Sequence, residues 1–413
     1  MTGIVPRVSF TKLCRSALLL LLGIAASQGC RAADAPLNYE SDLTAFLDEV
    51  DRTYPFFDLK GIRPDWERTK EQLKGQARGC KSDAAFLGLV NDAFKCLRDA
   101  HMGFVRTRVG LPAEPPEYYP GVSFLPATEE RVVIFRADGP QTTILKPGTV
   151  VTRIDGQPAR QFLEARAKAA WNAGGHFSSP QRARLFEYRL PLRGKKGEQH
   201  TLTVTTPAGE RALTLSSATE ARGWPHTYNL PANLARSASG CSHTQLAGGA
   251  GYIYLRNVSE DTEPGLAAAL AAHPNAKGWI VDLRGNGGGG YDEKLLERLK
   301  AIPKPVAVLI DEGCISAGET LARDLARYAG ARLLGSTTAG ASSAKRTWSF
   351  PSGIGTVSLP VRSRAGLEGK PIEFNGIEPD EKVEAVPEET QTGRDSAILR
   401  AEEYLAKAVA AKP

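Results

Sequence analysis

Two stretches decide the fold: KGWIVDLRGNGGGGY, from Lys277 to Tyr291, and PVAVLIDEGCISAGETLARDLARYAG, from Pro305 to Gly330. Each is an apolar run of buried-strand type that breaks into a turn of small residues, and the second turn opens a helix. Strand and helix patterns alternate through 252–255, 265–272, 279–281, 293–301, 306–310, 319–329 and 332–334. Alternation on that spacing predicts βαβ units and a mostly parallel sheet. In such a sheet, adjacent strand-to-turn junctions face one edge, where α/β sites form.

Ser316 falls on the first residues of the second helix. Unpaired backbone N–H groups and the positive dipole end favour negative charge there. A serine so placed is a candidate nucleophile whose tetrahedral intermediate backbone amides would stabilise. Three rival readings share these residues. Ser316-Ala-Gly-Glu319 fits a capping box, in which the hydroxyl only satisfies its own helix. Cys314 is a second candidate nucleophile, although a free cysteine more often behaves as a small buried hydrophobe. Gly285-x-Gly287-x-x-Gly290, with Asp311 downstream, formally matches a dinucleotide fingerprint, although the run is over-rich in glycine.

Around this core the 413 residues leave room for two or three domains. Arg7, Lys12 and Arg15 precede the apolar run from Ser16 to Ala26, and this reads as a secretory signal spanning residues 1–33. The run is too short to cross a bilayer, and no later one reaches about 18 apolar residues. Cys30 leaves a lipoprotein anchor as the lesser alternative. The signal carries four basic residues and no acid, so its removal takes the formal charge from +6 to +2. That balance, with no basic cluster interleaved with aromatics, excludes nucleic-acid binding. No CxxC or Cys/His zinc spacing occurs. Cys80 and Cys96 bracket a helix whose ends stand more than about 20 Å apart, so they do not pair with each other.

Residues 34–110 read as a helical region: spaced apolar positions mark 42–50 and 66–77, and a third helix starts near Ser82. It runs into Asp99-Ala-His101 and an alternating strand. Residues 115–216 read as short strands and turns, a small β-rich module with an Asp155-Gly156 turn. Residues 217–250 read as a linker, 251–390 as the core, and 391–413 as a terminal helix.

Taken in order, Gly251-Tyr-Ile-Tyr-Leu255, Asp282-Leu-Arg-Gly-Asn-Gly-Gly-Gly289, Ser316-Ala-Gly-Glu319, Gly335-Ser-Thr-Thr-Ala-Gly340 and Asn375-Gly-Ile-Glu-Pro-Asp380 resemble the C-terminal-processing (tail-specific) serine peptidases. Lys146 to Gly156 is similar to the closing half of the PDZ domain that this family carries. The resemblance implies an α/β (multi-domain α+β) chain with a helical N-terminal region, a PDZ-like module and a ClpP/crotonase-like βαβ core. Members with a Ser–Lys dyad place lysine directly behind the second glycine motif. Here that position is Ala341, and Lys345 comes four residues late. A lysine base must be held neutral beside the serine, so the register matters. The tricorn-like branch uses an upstream histidine, matched by His101, and a glutamate, matched by Glu373. Asp99 and Glu378 are alternative partners for the imidazole.

The expected function is an exported, periplasmic or secreted serine endopeptidase acting on unfolded or C-terminal polypeptide. Ser316 would be the nucleophile, His101 the base and Glu373 the orienting acid. The oxyanion donors would be Ala317 and Gly287 or Gly288, and Gly121, Val122 and Ser123 would bind the substrate carboxylate. Arg284 and Asp282 would brace the glycine turn. No metal or organic cofactor is implied, and homo-oligomerisation is left open. The alternatives are a non-proteolytic ligand carrier on the same fold and a Ser–Lys peptidase using Lys345.

Overall fold

The computed structural model describes residues 38–138, 140–221, 228–235, 240–290 and 292–411. The signal segment with Cys30, and Tyr291, lie outside them. The chain begins with helices α1 (Tyr39–Thr53), α2 (Phe57–Lys60), α3 (Arg63–Ala77) and α4 (Asp83–Leu97), followed by strand β1 (Gly103–Thr107). The hydroxyl of Ser82 caps α4 by accepting from Ala85 N at 3.3 Å. The buried stripe of α4 is Phe86, Leu87, Val90, Ala93, Phe94 and Leu97, spaced for one helical face. The helix stops at Arg98, whose φ of 49° is left-handed, and that stop delivers Asp99 and His101 to the site.

The β-rich module follows. Its strands are β2 (Tyr118–Tyr119), β3 (Val122–Ala127), β4 (Arg131–Ala137), β5 (Val150–Ile154) and β6 (Gln157–Pro158), then β7 (Gln199–Thr206), β8 (Gly209–Ser216) and β9 (Thr219–Glu220). An antiparallel sheet runs in the order β3-β4-β5-β7-β8. Two helices, α5 (Ala159–Asn172) and α6 (Pro180–Arg189), interrupt it. The reading of 115–216 as strands and turns missed both. The α5 sequence ARQFLEARAKAAWN is built largely of strong helix formers, set between segments with strand patterns.

The core sheet has the order β10 (Cys241–Gln245), β11 (Gly251–Leu255), β12 (Trp279–Asp282), β13 (Val306–Ile310), β14 (Arg332–Gly335) and, last in this sheet, β17 (Glu381–Lys382). From β11 onward the pairs are parallel. Both faces are covered, which accounts for the continuous apolar strands. One face packs on α7 (Thr262–Ala272), α8 (Glu293–Lys300) and α9 (Ala317–Asp324) through Leu266, Leu295, Leu299 and Leu321. After the turn α10 (Ile372–Asn375) and α11 (Pro387–Gln391), the terminal helix α12 (Ser396–Ala410) covers the other face with Ile398, Ala401 and Leu405. Among the described residues no helix is long and apolar enough to cross a membrane.

Two expected boundaries are corrected. The stretch 217–250, read as linker, contains β10, which pairs antiparallel with β11 and forms the sheet edge; its short polar sequence carries no strand signal. The core range 251–390 contains a hairpin, β15 (Ser343–Ser349) and β16 (Gly355–Ser363), that pairs with β1. Its Phe350, Ile354, Val357 and Leu359 are buried with Phe46, Val90 and Phe94 of the N-terminal helices. This shared core joins the segment bearing His101 to the segment bearing Ser316.

Candidate active site

Ser316 sits between β13 and α9 with φ 59° and ψ −120°, a conformation that costs a non-glycine residue strain and recurs where a nucleophile is held out on a turn. Glu319 fixes that turn. Its fully buried carboxylate accepts from Ser316 N at 3.1 Å, Gly340 N at 2.8 Å, Ala341 N at 2.9 Å and the Thr338 hydroxyl at 2.7 Å. Burial nevertheless raises its pKa to about 7, against the lowering effect of those donors. The glutamate of the capping pattern is therefore used, while the serine hydroxyl lies 2.9 Å from Nε2 of His101.

His101 is positioned by its own segment. Asp99 Oδ1 accepts the His101 N–H at 2.9 Å, and Ser178 Oγ accepts from Ala100 N at 3.0 Å. Burial pushes the imidazole down to about 4; Lys345, Lys60 and Arg364 add to this, and the charge of Asp99 opposes it. The ring is therefore neutral at ordinary pH, the form that can accept a proton. Its Nδ1 is buried without a hydrogen-bond partner.

Beside it lies an ionic cluster whose lysine the sequence pattern did not mark. The side chains of Lys60, Asp99 and Glu373 are all fully buried. Lys60 Nζ donates to Glu373 Oε1 at 2.7 Å, to Arg98 O at 2.7 Å and to the Tyr54 hydroxyl at 3.0 Å, with Asp99 Oδ2 at 3.4 Å. Burial works against the charge of Asp99, but Lys60 and His101 hold its carboxyl below the ordinary range. Burial, and then Asp99, raise Glu373 to about 8 against the pull of Lys60. Asp99, His101 and Glu373 bring ligand-type atoms within 4.8 Å of one another, and the Lys60 ammonium supplies a cation to the two carboxylates. The only sequence signal for Lys60 was a lone lysine in the apolar run Tyr54-Pro-Phe-Phe-Asp-Leu-Lys60.

Residues 249–302 and 290–383 match peptidase family S41. This part of the chain is similar to that family. The carboxy-terminal processing protease CtpA of Bacillus subtilis (strain 168) is 28% identical over 163 residues, 32% of this chain. That alignment covers 35% of CtpA, so the chain matches about a third of its curated relative's length. The structure of mature CPAF complexed with lactacystin is similar with a TM-score of 0.58 at 14% identity, covering 90% of this chain and 97% of that one. A CPAF mutant gives 0.60 at 13% identity, covering 91% and 98%. At such identities the likeness concerns the fold, and it extends over the helical region and module as well as the core.

Within this core the other expected site residues fare unevenly. Gly288 packs on the nucleophile's turn: a Cβ there would stand 2.7 Å from Ser316 Cβ and 3.1 Å from Ala317 N. The amides expected for the oxyanion are corrected. Gly287 N already donates to Arg256 O at 2.8 Å, and Gly288 N to Asn286 Oδ1 at 2.9 Å, because the glycine turn folds back on β11 and on its own asparagine. Ala317 N, on the first residue of α9, is the expected donor that carries no such bond. The same bonds, and Gly290 N on Val258 O at 3.1 Å, occupy the donors a pyrophosphate would need. Asp311 accepts from Gly285 N and Gly313 N, so it braces the turn and is not free for a ribose.

Gly121, Val122 and Ser123 are buried, and α6 packs against β3 and α5. The Ser123 hydroxyl donates to Arg189 O on α6 at 2.7 Å. Gly121 lies instead against Thr219 and Asp138, Val122 in the module core and Ser123 against α6, so the three are closed off and form no open carboxylate loop. Cys314 is fully buried and burial holds its thiol well above the ordinary range, so it is no nucleophile. Lys345 is exposed on β15, and Ala341 is fully buried with its carbonyl on Ser316 N. Glu378 is exposed. Arg284 bonds Asp282, and reaches Asp395 at 2.8 Å, tying the glycine turn to the start of α12.

Proposed function

We propose that this chain is a serine peptidase of the C-terminal-processing type, cleaving polypeptide with Ser316 as nucleophile and His101 as general base. The reading rests on one approach: Ser316 Oγ and His101 Nε2 stand 2.9 Å apart although 215 positions separate them in sequence. That distance is within reach for proton transfer. Ser316 Oγ attacks the scissile carbonyl while its proton passes to Nε2. The protonated imidazole then gives that proton to the leaving amine, and an acyl-enzyme remains. Water attacks the ester by the same route in reverse roles, releasing the acid and free Ser316. Ala317 N is the amide best placed to stabilise the oxyanion. Asp99 and Glu373 offset the positive charge that forms on the imidazole, and Glu373 acts from beside Lys60.

The basic-then-apolar N-terminus supports export, with the mature chain periplasmic or secreted. Contacts of the module of residues 115–216 support a bracing role in the fold: Ser179 Oγ donates to Ala339 O at 2.6 Å and Gln181 Nε2 to Phe374 O at 3.1 Å, tying α6 to the loops that carry Ser316 and Glu373. A fluorophosphonate probe tests the function. It should label Ser316 in the folded chain and fail on Ser316→Ala, with labelling strongly slowed in His101→Ala. No labelling of the folded wild-type chain would favour a ligand carrier on the same fold.

A further inference from the structure

A cavity of about 390 Å³ opens between the module and the carboxyl edge of β13 and β14, within the size range of small-ligand sites. Neither Ser316 nor His101 lines it. Its walls include Phe124, Phe135, Leu185, Tyr228 and Ile310, and Arg189 lines it from the end of α6. Arg189 is 3% exposed, and its Nη1 is buried with no hydrogen-bond partner. The guanidinium lies 3.9 Å from the ring centre of Phe135 and 5.4 Å from that of Tyr228.

Three of the other arginines around this space are already paired. Arg184 pairs with Glu164 at 2.7 Å and Glu312 at 3.3 Å, Arg160 with Glu384 at 3.1 Å, and Arg284 with Asp282 and Asp395. The acid nearest the aromatic wall, Asp311, takes Gly285 N, Gly313 N and the Tyr228 hydroxyl. Among the described residues no acid pairs with Arg189, so a buried cationic N–H is left unmet. Such a group is costly unless paired, and a planar guanidinium matches a carboxylate.

We infer that this cavity binds a carboxylate carried on an apolar or aromatic body, with Arg189 holding the anion and the Phe135 and Tyr228 walls the body. The carboxylate could come from a polypeptide C-terminus or from a free organic acid, and the chemistry is the same for both. The inference rests on the cavity and not on the peptidase reading.

The test uses the full mature chain carrying Ser316→Ala, so that nothing is turned over and failure leaves the peptidase proposal untouched. Calorimetric titration with N-acetylphenylalanine and with its amide should show the acid binding at least about tenfold tighter, about 1.4 kcal/mol. Arg189→Gln should abolish that preference. A hexapeptide ending in phenylalanine, free or amidated, distinguishes the sources. The same preference in the peptides identifies a polypeptide tail, and a preference confined to the free acid identifies a small molecule. Equal affinity for acid and amide, no binding of any probe, or a preference that survives Arg189→Gln would overturn the inference. Should circular dichroism show Arg189→Gln unfolded, the acid–amide comparison in the parent chain decides, and Arg189→Lys should keep a weakened preference.

Discussion

Lys60 and Glu373, 313 positions apart in sequence, form a fully buried ion pair with Nζ 2.7 Å from Oε1. The pair clamps the turn α10 to the helical region and stands beside His101, so stability and chemistry meet in it. Removing one partner leaves a charge uncompensated in the interior. Lys60→Met should cost about 3–5 kcal/mol, read as a drop in the urea midpoint. Combining it with Glu373→Gln should cost less than the sum of the two single changes. Strict additivity, or a loss for Lys60→Met below about 0.5 kcal/mol, would show that the pair is not formed.

His101→Ala should lower kcat on a polypeptide substrate by several decades, on the order of 10³ or more, as loss of a relay member does. Lys345→Ala should leave it within about twofold, because an exposed lysine whose influence on the relay is purely electrostatic holds no proton for the serine. The reverse pattern would return the Ser–Lys dyad to favour.

The pH profile should be unusual for a histidine base. With His101 at about 4, the neutral imidazole persists on acidification, and activity should fall only as pH drops through that value. A limb near pH 6.5 would refute this assignment.

Gly288→Ala should nearly abolish activity. The added Cβ would meet Ser316 Cβ at 2.7 Å, and the position has φ +78°. Gly290→Ala, where a Cβ meets nothing within 4 Å, should stay within about threefold of the parent chain, since displacement of a reacting atom by about 1 Å costs about 10²-fold. Equal effects at both positions would mean that the contact with Ser316 is immaterial.

Exported protein should begin between residues 28 and 34. Intact mass of material from the periplasm or medium measures this, and retention of Met1 would refute the signal reading.

The alternation of apolar runs with helical segments from Gly251 onward determined the βαβ core, because a strand covered on both faces must be continuously apolar whatever surrounds it. The ordered motifs likewise marked Ser316, His101 and Glu373, since turn glycines and a helix start are local requirements. Sequence reading left α5 and α6 unseen although α5 buries Ala159, Leu163 and Ala167 at helical spacing, because the strand patterns on either side dominate the stretch. Only tertiary structure decided which glycine amides remain free, since that depends on Arg256 and Asn286 folding back on the turn. It also decided that a hairpin within the core range pairs with β1 and shares a core with the N-terminal helices. Lys60 is the clearest case. A lysine reads as solvent-facing in any local pattern, and only two carboxylates arriving from distant segments make its burial possible.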